Sequence, residues 1–166
     1  MSDLDWEIRP YEESDENSVT DLLITSFDTD AEANLVKWLR SGGDAVIELV
    51  AESEETILGY IMLSAMKHPE GTLGLAPIAT DPKFERNGIA STLIESALAL
   101  AAANDWKAVF VLGDLKFYDR FGFSAEAAEH FRSPYSGEHF GLAWLDDDVT
   151  LDGDRADYAD AFAKLG

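Results

Sequence analysis

The sequence predicts an α/β fold: a mixed sheet of about six to seven strands with flanking helices, in which an antiparallel meander precedes a central parallel strand-helix-strand crossover. Three observations support it. Short apolar segments separated by polar turns lie between residues 45 and 80. A helix with a wide apolar face follows at 88–103. The apolar run 108–112 comes next and is typical of a strand buried on both faces, which a crossover makes parallel to the strand before it.

The first half of the chain is predicted to hold one short strand, two helices and three further strands. Glu7–Pro10 is the first strand, and Ser14–Phe27 has apolar residues at helical spacing. Thr29–Glu32 matches a capping box, which opens a second helix that ends near Arg40. The three strands are expected at 45–51, 56–66 and 72–80.

The second half is predicted to end in short elements. Lys116–Phe121 is a short helix, closed by Gly122 at a position that suits positive φ. Phe123 is expected to start another strand, and Glu138–Leu145 to form the last well-defined one. For the acidic tail after Asp146, strand and helix both stay open.

Length and composition fit a globular protein. A chain of 166 residues suits one domain, expected over 1–166 with a core at about 7–145 and an acidic C-terminal tail. Without cysteine, a disulfide framework, a thiolate nucleophile and Cys-ligated zinc are excluded. The acidic N-terminus lacks the apolar core of a signal peptide, and no apolar stretch is long enough to span a bilayer. We therefore expect a cytoplasmic protein.

The charge is strongly negative, with 33 acidic against 12 basic residues and a net charge of −21 at pH 7. Such a surface repels nucleic acid and anionic membranes, so neither is expected as a partner. It mildly favours a cationic substrate, but a solvated acidic surface kept for solubility is the preferred explanation of the charge. An anionic ligand would have to be held by local donors against the overall field.

The most informative segment runs from a strand through the loop Lys83–Ser91 into the long helix. A helix N-terminus exposes N–H groups without internal partners and binds phosphate without a basic side chain. Gly88 removes the Cβ that would keep an anion from the backbone, and Ala90 is small. Arg86 and Lys83 add positive charge. A plain strand-to-helix connection could show the same Gly-x-Ala, so this feature alone does not distinguish a phosphate-binding loop from an ordinary connection.

Pro77 lies inside the strand predicted at 72–80. Proline cannot donate to a sheet ladder and marks an edge or a bulge. If neighbouring strands part there, free backbone groups of Ile78 and Thr80 face a cleft, and an extended chain with amide groups could pair with them. A proline tolerated at a sheet edge is the alternative.

Two segments together resemble the GNAT superfamily of N-acetyltransferases. Residues 85–90 resemble its motif A, Gln/Arg-x-x-Gly-x-Gly/Ala, and 111–123 resemble the Tyr-x-x-x-Gly-Phe element that closes its core. The Leu-Gly-Asp at 112–114, together with 30–32 and 39–40, looks like the YhbS-like branch. The likeness covers about 7–145. Two departures stand out: Glu85 occupies the first motif position, and the asparagine that many relatives carry after the fifth strand is missing.

The resemblance implies transfer of an acetyl group from acetyl-CoA to an amine of a small molecule or a protein. The pantetheine arm of coenzyme A is an extended amide-bearing chain of the kind that a parted strand accepts. No metal is implied, and a homodimer stays open because the final strands of relatives often pair. The implied cofactor-binding residues are Ile78, Ala79, Thr80, Arg86, Asn87, Gly88, Ile89, Ala90 and Ser91.

Acetyl transfer needs a neutral amine, a polarised carbonyl and a proton for the leaving thiolate. Backbone N–H groups near Ile78 could polarise the carbonyl. The resemblance places Tyr118 near the sulfur, and a phenol with a pKa of about 10 keeps a proton to give at neutral pH; a packed aromatic is the alternative. The general base stays open between Glu32, Asp81, Asp114 and a water chain. The preferred interpretation of Glu32 is completion of the capping box, and that of Asp81 is shaping of the turn before Pro82.

Other functions remain as rivals. His68, His130 and His139 are scattered without ligand spacing, so metal binding is not expected. Trp38 is interpreted as a packing residue, with a place in the acceptor pocket as the alternative. The rivals to an enzyme are a non-catalytic CoA-binding sensor or regulatory module, and a structural or partner-binding domain without cofactor.

Overall fold

The computed structural model describes residues 5–165, which are built around one six-stranded mixed sheet. The strands lie side by side in sequence order, and every neighbouring pair is antiparallel except the parallel fourth and fifth. The predicted α/β fold, with a meander before a parallel crossover, is confirmed. The strands are β1 (Glu7–Pro10), β2 (Ala45–Ser53), β3 (Thr56–Ala65), β4 (Thr72–Thr80), β5 (Ala108–Leu112) and β6 (Phe140–Trp144).

Five α-helices flank the sheet in the described residues, and short 3-10 turns join them to their neighbours. No helix within 5–165 is long and apolar enough to cross a membrane. The first helix is preceded by a 3-10 turn at Glu13–Asp15, and another 3-10 turn continues the fourth at Asp119–Phe121. The helices are α1 (Glu16–Phe27), α2 (Ala31–Ser41), α3 (Ile89–Ala103), α4 (Leu115–Tyr118) and α5 (Ala125–Ala128).

The two faces of the sheet are covered by different parts of the chain. Alternate residues of β3 enter different apolar clusters, Ile61 with α3 and Tyr60 with α1 and α2. Leu93 and Ile94 of α3 are fully buried, and burial of each stabilises the fold by about 1.5–3 kcal/mol. The C-terminal residues cover β5 and β6, where Phe110 packs with side chains of that segment.

β4 and β5 separate midway along the sheet. Their parallel pairing runs from Thr72 opposite Ala108 to Leu75 opposite Val111, whereas β4 stays paired with β3 up to Thr80. Leu75 lies opposite Leu63 and Ile78 opposite Ile61, so β4 holds one extra residue, a bulge that includes Pro77. The parting of strands predicted from Pro77 is therefore present.

The predicted capping box at the start of α2 is wrong. The residue before the helix is Asp30, one position later than the box requires. The Thr29 hydroxyl accepts a hydrogen bond from the N–H of Ala31 at 3.3 Å and donates one to Glu32 Oε1 at 3.2 Å. The Glu32 side chain therefore accepts from the Thr29 hydroxyl and not from the Thr29 main-chain N–H that a capping box requires.

The strand predicted to start at Phe123 is also wrong. Phe123 is buried, but Ser124 makes only an isolated bridge with Leu142, and α5 begins directly afterwards. The Ser124 hydroxyl accepts a hydrogen bond from the N–H of Ala127 at 3.1 Å. This N-cap favours a helical turn over extension of the strand.

The acidic tail, left open by the sequence, crosses the sheet without forming a ladder. It ends in a 3-10 turn at Asp160–Leu165, which packs on α2. Lys67 and Asp160 form an ion pair of 2.7 Å, and Asp157 lies 3.0 Å from His68. Alanines of the tail, including Ala156, are buried. The tail therefore covers the apolar sheet despite its acidic composition.

A buried carboxylate fixes the N-terminal edge of the sheet. Asp15 is 7% exposed and accepts two hydrogen bonds of 2.8 Å from Arg9, which also pairs with Glu52. The hydrogen bonds from Arg9 lower the pKa of Asp15, although burial acts in the opposite direction. The network ties the first 3-10 turn to β1 and β2.

Candidate active site

Two cavities adjoin where β4 separates from β5. The first, which we call the loop cleft, has a volume of about 530 Å³ and lies between the end of β4, the following loop and the start of α3. The second, the aromatic cavity, has a volume of about 570 Å³ and lies between α1, α2, β4 and the C-terminal turn. Phe27 and Ile78 line both, so a molecule in one cavity can reach a molecule in the other at that junction.

The backbone of the loop presents unpaired donors to the loop cleft. No hydrogen bond within the described residues uses the N–H groups of 87–91, in keeping with the free donors at a helix start. Gly88 has φ +79°, and an added Cβ would have no atom within 4 Å, so the space beside this backbone is open. An anion can therefore approach these donors closely, and the positive end of α3 favours it.

Side chains hold this loop in shape. The Asp81 carboxylate accepts a hydrogen bond from the N–H of Lys83 at 3.0 Å. The Asn87 amide donates to the carbonyls of Phe84 and Glu85, at 2.9 and 3.3 Å. Asn87, predicted to bind cofactor, thus uses its side chain within the loop, and only its main-chain N–H remains for a ligand.

Three charged side chains line the loop cleft. Arg86 is exposed, with φ +69°, and Arg120 reaches the cleft from beyond α4. The Arg120 guanidinium lies 4.9 Å from the centre of the Phe117 ring, and its Nε donates to the Phe117 carbonyl at 3.1 Å. The third, Glu85, is exposed to solvent as expected but also lies along the cleft. Arg120 had no place in the motif-based prediction.

Eight of the nine residues predicted to bind cofactor line the loop cleft, and the ninth, Asn87, does not. One detail differs from the prediction at Thr80. Its carbonyl was expected to be free, but it accepts a hydrogen bond of 3.2 Å from the Ser26 hydroxyl, because α1 packs beside β4 at this point. The eight residues are Ile78, Ala79, Thr80, Arg86, Gly88, Ile89, Ala90 and Ser91.

Tyr118 lines the aromatic cavity, the cavity that shares Phe27 and Ile78 with the loop cleft. Its half-buried ring packs edge to face on Phe117 and Phe123, with ring centres 5.1 and 5.7 Å away. The ring also fills the space where Gly113 has no side chain, since a Cβ there would lie 2.8 Å from it. Burial raises the pKa of Tyr118, so the phenol holds its proton at neutral pH.

The three candidate bases occupy different places. Asp81 shapes the turn before α3, and the Asp114 carboxylate caps α4 by accepting from the N–H of Lys116 at 3.0 Å. Glu32 alone of the three lines the aromatic cavity. Glu32 is therefore the one of the three that lines a cavity, while Asp81 and Asp114 line neither and hold backbone turns.

The rest of the aromatic cavity was missed from the sequence. Its wall includes Phe27 at the end of α1 and three aromatic residues of the C-terminal segment, Tyr135, Tyr158 and Phe162. The one available signal was the presence of aromatic side chains in an otherwise acidic tail. Trp38, proposed as an alternative lining residue, lies outside the cavity with Lys164 Nζ 5.0 Å from its ring centre.

Comparison with known proteins identifies the family. The sequence profile of the Acetyltransferase (GNAT) family matches residues 3–123. The chain belongs to the GNAT family of acetyltransferases. This GNAT chain is 37% identical over 120 residues to the uncharacterized N-acetyltransferase YhbS of Escherichia coli strain K12, across 70% of this chain and 72% of that protein. It is 26% identical over 149 residues to YjhQ of the same strain, another uncharacterized N-acetyltransferase, across 84% of this chain and 82% of that protein.

Solved structures of GNAT proteins agree with this assignment. The crystal structure of Escherichia coli YhbS in complex with CoA superposes with a TM-score of 0.90 at 32% identity, covering 100% of this chain and 96% of that one. The crystal structure of a Brucella melitensis GNAT acetyltransferase in complex with acetyl-CoA superposes with a TM-score of 0.82 at 25% identity, covering 96% of this chain and 99% of that one. The resemblance inferred from the two motifs, including the YhbS-like branch, is confirmed.

Proposed function

We propose that this GNAT acetyltransferase binds acetyl-CoA along the loop cleft and receives an amine in the aromatic cavity. The observation that carries the proposal is the row of unpaired N–H groups at 87–91, beside a cleft that opens at Ile78 into the cavity of Tyr118. The complexes of the two similar GNAT proteins with CoA and acetyl-CoA support the choice of ligand.

The diphosphate is held mainly by the backbone. Donors at a helix N-terminus bind phosphate without relying on side-chain charge, which suits a chain of net charge −21. Arg86 and Arg120 supply local positive charge and weaken the repulsion that the whole protein exerts on an anion. Gly88 leaves the room that the phosphate oxygens need.

The extended arm of the ligand follows β4 toward the junction. Beyond Leu75 this strand no longer pairs with β5, so one of its edges is open to an amide-bearing chain. Such pairing directs the acetyl end toward Ile78, where both cavities meet. Backbone N–H groups at the bulge near Ile78 would then polarise the acetyl carbonyl.

Acetyl-CoA, when bound, supplies an acetyl group activated as a thioester. The amine nitrogen bonds to the carbonyl carbon as the carbon–sulfur bond breaks. Tyr118 keeps its proton because burial raises its pKa, and it gives that proton to the leaving sulfur. The nitrogen loses one proton, which Glu32 or water accepts. The proton that leaves the nitrogen is returned through water to the Tyr118 phenolate, so the enzyme ends unchanged and the products are an amide and the thiol of coenzyme A.

Thiol release from acetyl-CoA with a panel of amines tests the proposal, using wild type, Tyr118→Phe and the control Tyr11→Phe. Tyr11 is a half-buried tyrosine that lines neither cavity. Tyr118→Phe should lower kcat by about 100-fold or more and leave the acetyl-CoA Kd within about twofold, because only proton transfer is lost. Tyr11→Phe should behave as wild type.

Each rival function makes a different prediction in the same experiment. A non-catalytic CoA-binding sensor would show a rise in Tm with acetyl-CoA but no thiol release by the wild type. A partner-binding domain without cofactor would show no rise in Tm at saturating acetyl-CoA. Turnover that depends on Tyr118 contradicts both.

We propose four finer points as well. The first three are that residues 1–166 form one acyltransferase domain, that the protein works in the cytoplasm, and that its acceptor is an amine of a small molecule or a protein. A homodimer is the fourth, and analytical ultracentrifugation tests it directly.

A further inference from the structure

We infer that the acceptor is a small monoamine with an apolar or aromatic body, whose ammonium group is recognised by Glu32 and then gives one proton to water to become the neutral amine that attacks. The inference rests on the proposed acetyl transfer and narrows it to one substrate class. It follows from the lining of the aromatic cavity, the position of Glu32 and the net charge of the chain.

The aromatic cavity is lined mainly by apolar and aromatic side chains, three of them tyrosines. Thirteen of the described residues line it. Twelve of them are apolar or aromatic, and the thirteenth, Glu32, has a charged side chain. Its volume of about 570 Å³ falls within the range of about 300–1,000 Å³ that suits small molecules. Alkyl groups and aromatic rings gain free energy on entering such a cavity, whereas strongly hydrated groups lose it.

The Glu32 carboxylate has an oxygen available to bind a cation. It lies in the first turn of α2, where the positive end of the helix stabilises a carboxylate. Its Oε1 accepts the hydrogen bond from Thr29, and its Oε2 has no hydrogen-bond partner among residues 5–165. That second oxygen can accept a charge-assisted hydrogen bond from an ammonium, and the aromatic rings that line the same cavity offer cation–π attraction.

A second charge on the acceptor has no counterpart in this cavity. A further ammonium would lie among aliphatic and aromatic groups without an anion, and a carboxylate would also meet the charge of Glu32. The net charge of −21 draws cations toward the protein and repels anions at long range. This field attracts a diamine more strongly than a monoamine, but the cost of burying its unpaired second ammonium in the cavity outweighs that attraction. Diamines and amino acids should therefore be poor acceptors.

Two matched pairs of amines test the inference by thiol release. Hexylamine and hexamethylenediamine differ by one ammonium, and phenethylamine and phenylalanine differ by one carboxylate. In each pair the monoamine should have a kcat/KM at least about 10-fold higher. Among unbranched alkylamines from butyl to heptyl, kcat/KM should rise about fourfold per methylene as each buries more apolar surface.

A charge-matched variant pair tests the role of Glu32. Glu32→Gln should raise KM for phenethylamine about 10-fold or more, because an ammonium is left without an anion. Glu16→Gln changes the net charge equally on the exposed side of α1, outside both cavities, and should leave KM unchanged. Both variants should bind acetyl-CoA like the wild type.

Three results would overturn the inference while acetyl-CoA binding stays intact: preference for the diamine or the amino acid, equal effects of the two glutamine variants, or turnover of none of the monoamines. Tyr135→Ala provides a second test, since Tyr135 lines the cavity and is 38% exposed, so its truncation should leave the protein folded. It should lower kcat/KM for phenethylamine more than for butylamine. Failure of acetyl-CoA itself to bind would instead refute the proposed function.

Discussion

Gly88→Ala separates the backbone account of cofactor binding from one based on side-chain charge. The substitution leaves every charge in place and adds one methyl group beside the N–H groups of 87–91. No atom lies within 4 Å of the added carbon, so the variant loses no packing and creates no clash within the described residues. Its effects come from backbone strain and from the space that the methyl takes from a ligand.

The strain can be worked out from the dihedral angle. Gly88 has φ +79°, a left-handed conformation that costs an L-residue about 1–2 kcal/mol. For a chain of this size each kcal/mol lowers Tm by about 2–4 °C, so Gly88→Ala should lower Tm by about 2–8 °C. The protein should remain folded at room temperature.

The effect on binding is expected to be larger than the strain. A methyl group that keeps the diphosphate from these donors removes charge-assisted hydrogen bonds worth about 1.5–3 kcal/mol, which corresponds to an acetyl-CoA Kd about 10–150-fold weaker. Isothermal titration calorimetry measures this directly.

Gly43→Ala is the matched control. Gly43 has φ +80°, an added Cβ there also meets no atom within 4 Å, and the residue lines neither cavity. The Tm of Gly43→Ala should fall as far as that of Gly88→Ala, and its Kd for acetyl-CoA should equal that of the wild type. If Gly88→Ala bound acetyl-CoA as tightly as Gly43→Ala, the reasoning would be refuted.

Three further predictions concern charge. Glu85→Gln should tighten acetyl-CoA binding about two- to fivefold by calorimetry, because it removes a like charge from the cleft; weaker binding would contradict this. Raising ionic strength from about 10 to 150 mM shortens the Debye length from about 30 to 8 Å. The KM for acetyl-CoA should then fall in steady-state assays, since screening weakens repulsion by a chain of −21; a rise would indicate binding by side-chain charge. Asp15→Asn should lower Tm by a few degrees at pH 7. Because the fold lowers the pKa of Asp15, its contribution is present above about pH 4 and lost below, so the Tm difference should close in acid; a constant difference would exclude the Arg9 ion pair as its source.

Local sequence patterns predicted the elements that position the loop cleft. The apolar face of α3 predicted a helix packed against a sheet, and the wholly apolar β5 predicted a strand buried on both faces. Pro77, which has no N–H to donate, predicted the irregularity in β4. The cleft is built from one continuous strand-loop-helix segment, so most of its residues could be found by motif. Arg120 was missed because it reaches the cleft from a different element.

The aromatic cavity could not be predicted in the same way. It joins Glu32, Tyr118 and Phe162, which are far apart in sequence and meet only through packing of the tail on the sheet. The tail has no apolar periodicity, and its acidic composition hides the few aromatic residues that face inward. The two local errors, at Thr29 and Phe123, arose where a hydroxyl hydrogen bond decided the geometry.

Chemical shifts of the main-chain amides test the central claim most directly. In isotope-labelled protein titrated with CoA, the amide protons of 87–91 should move downfield as they donate to the diphosphate, while those of Gly43 and Gly153 stay in place. Saturable binding of CoA that leaves the amides of 87–91 unchanged would contradict the claim that the start of α3 holds the cofactor.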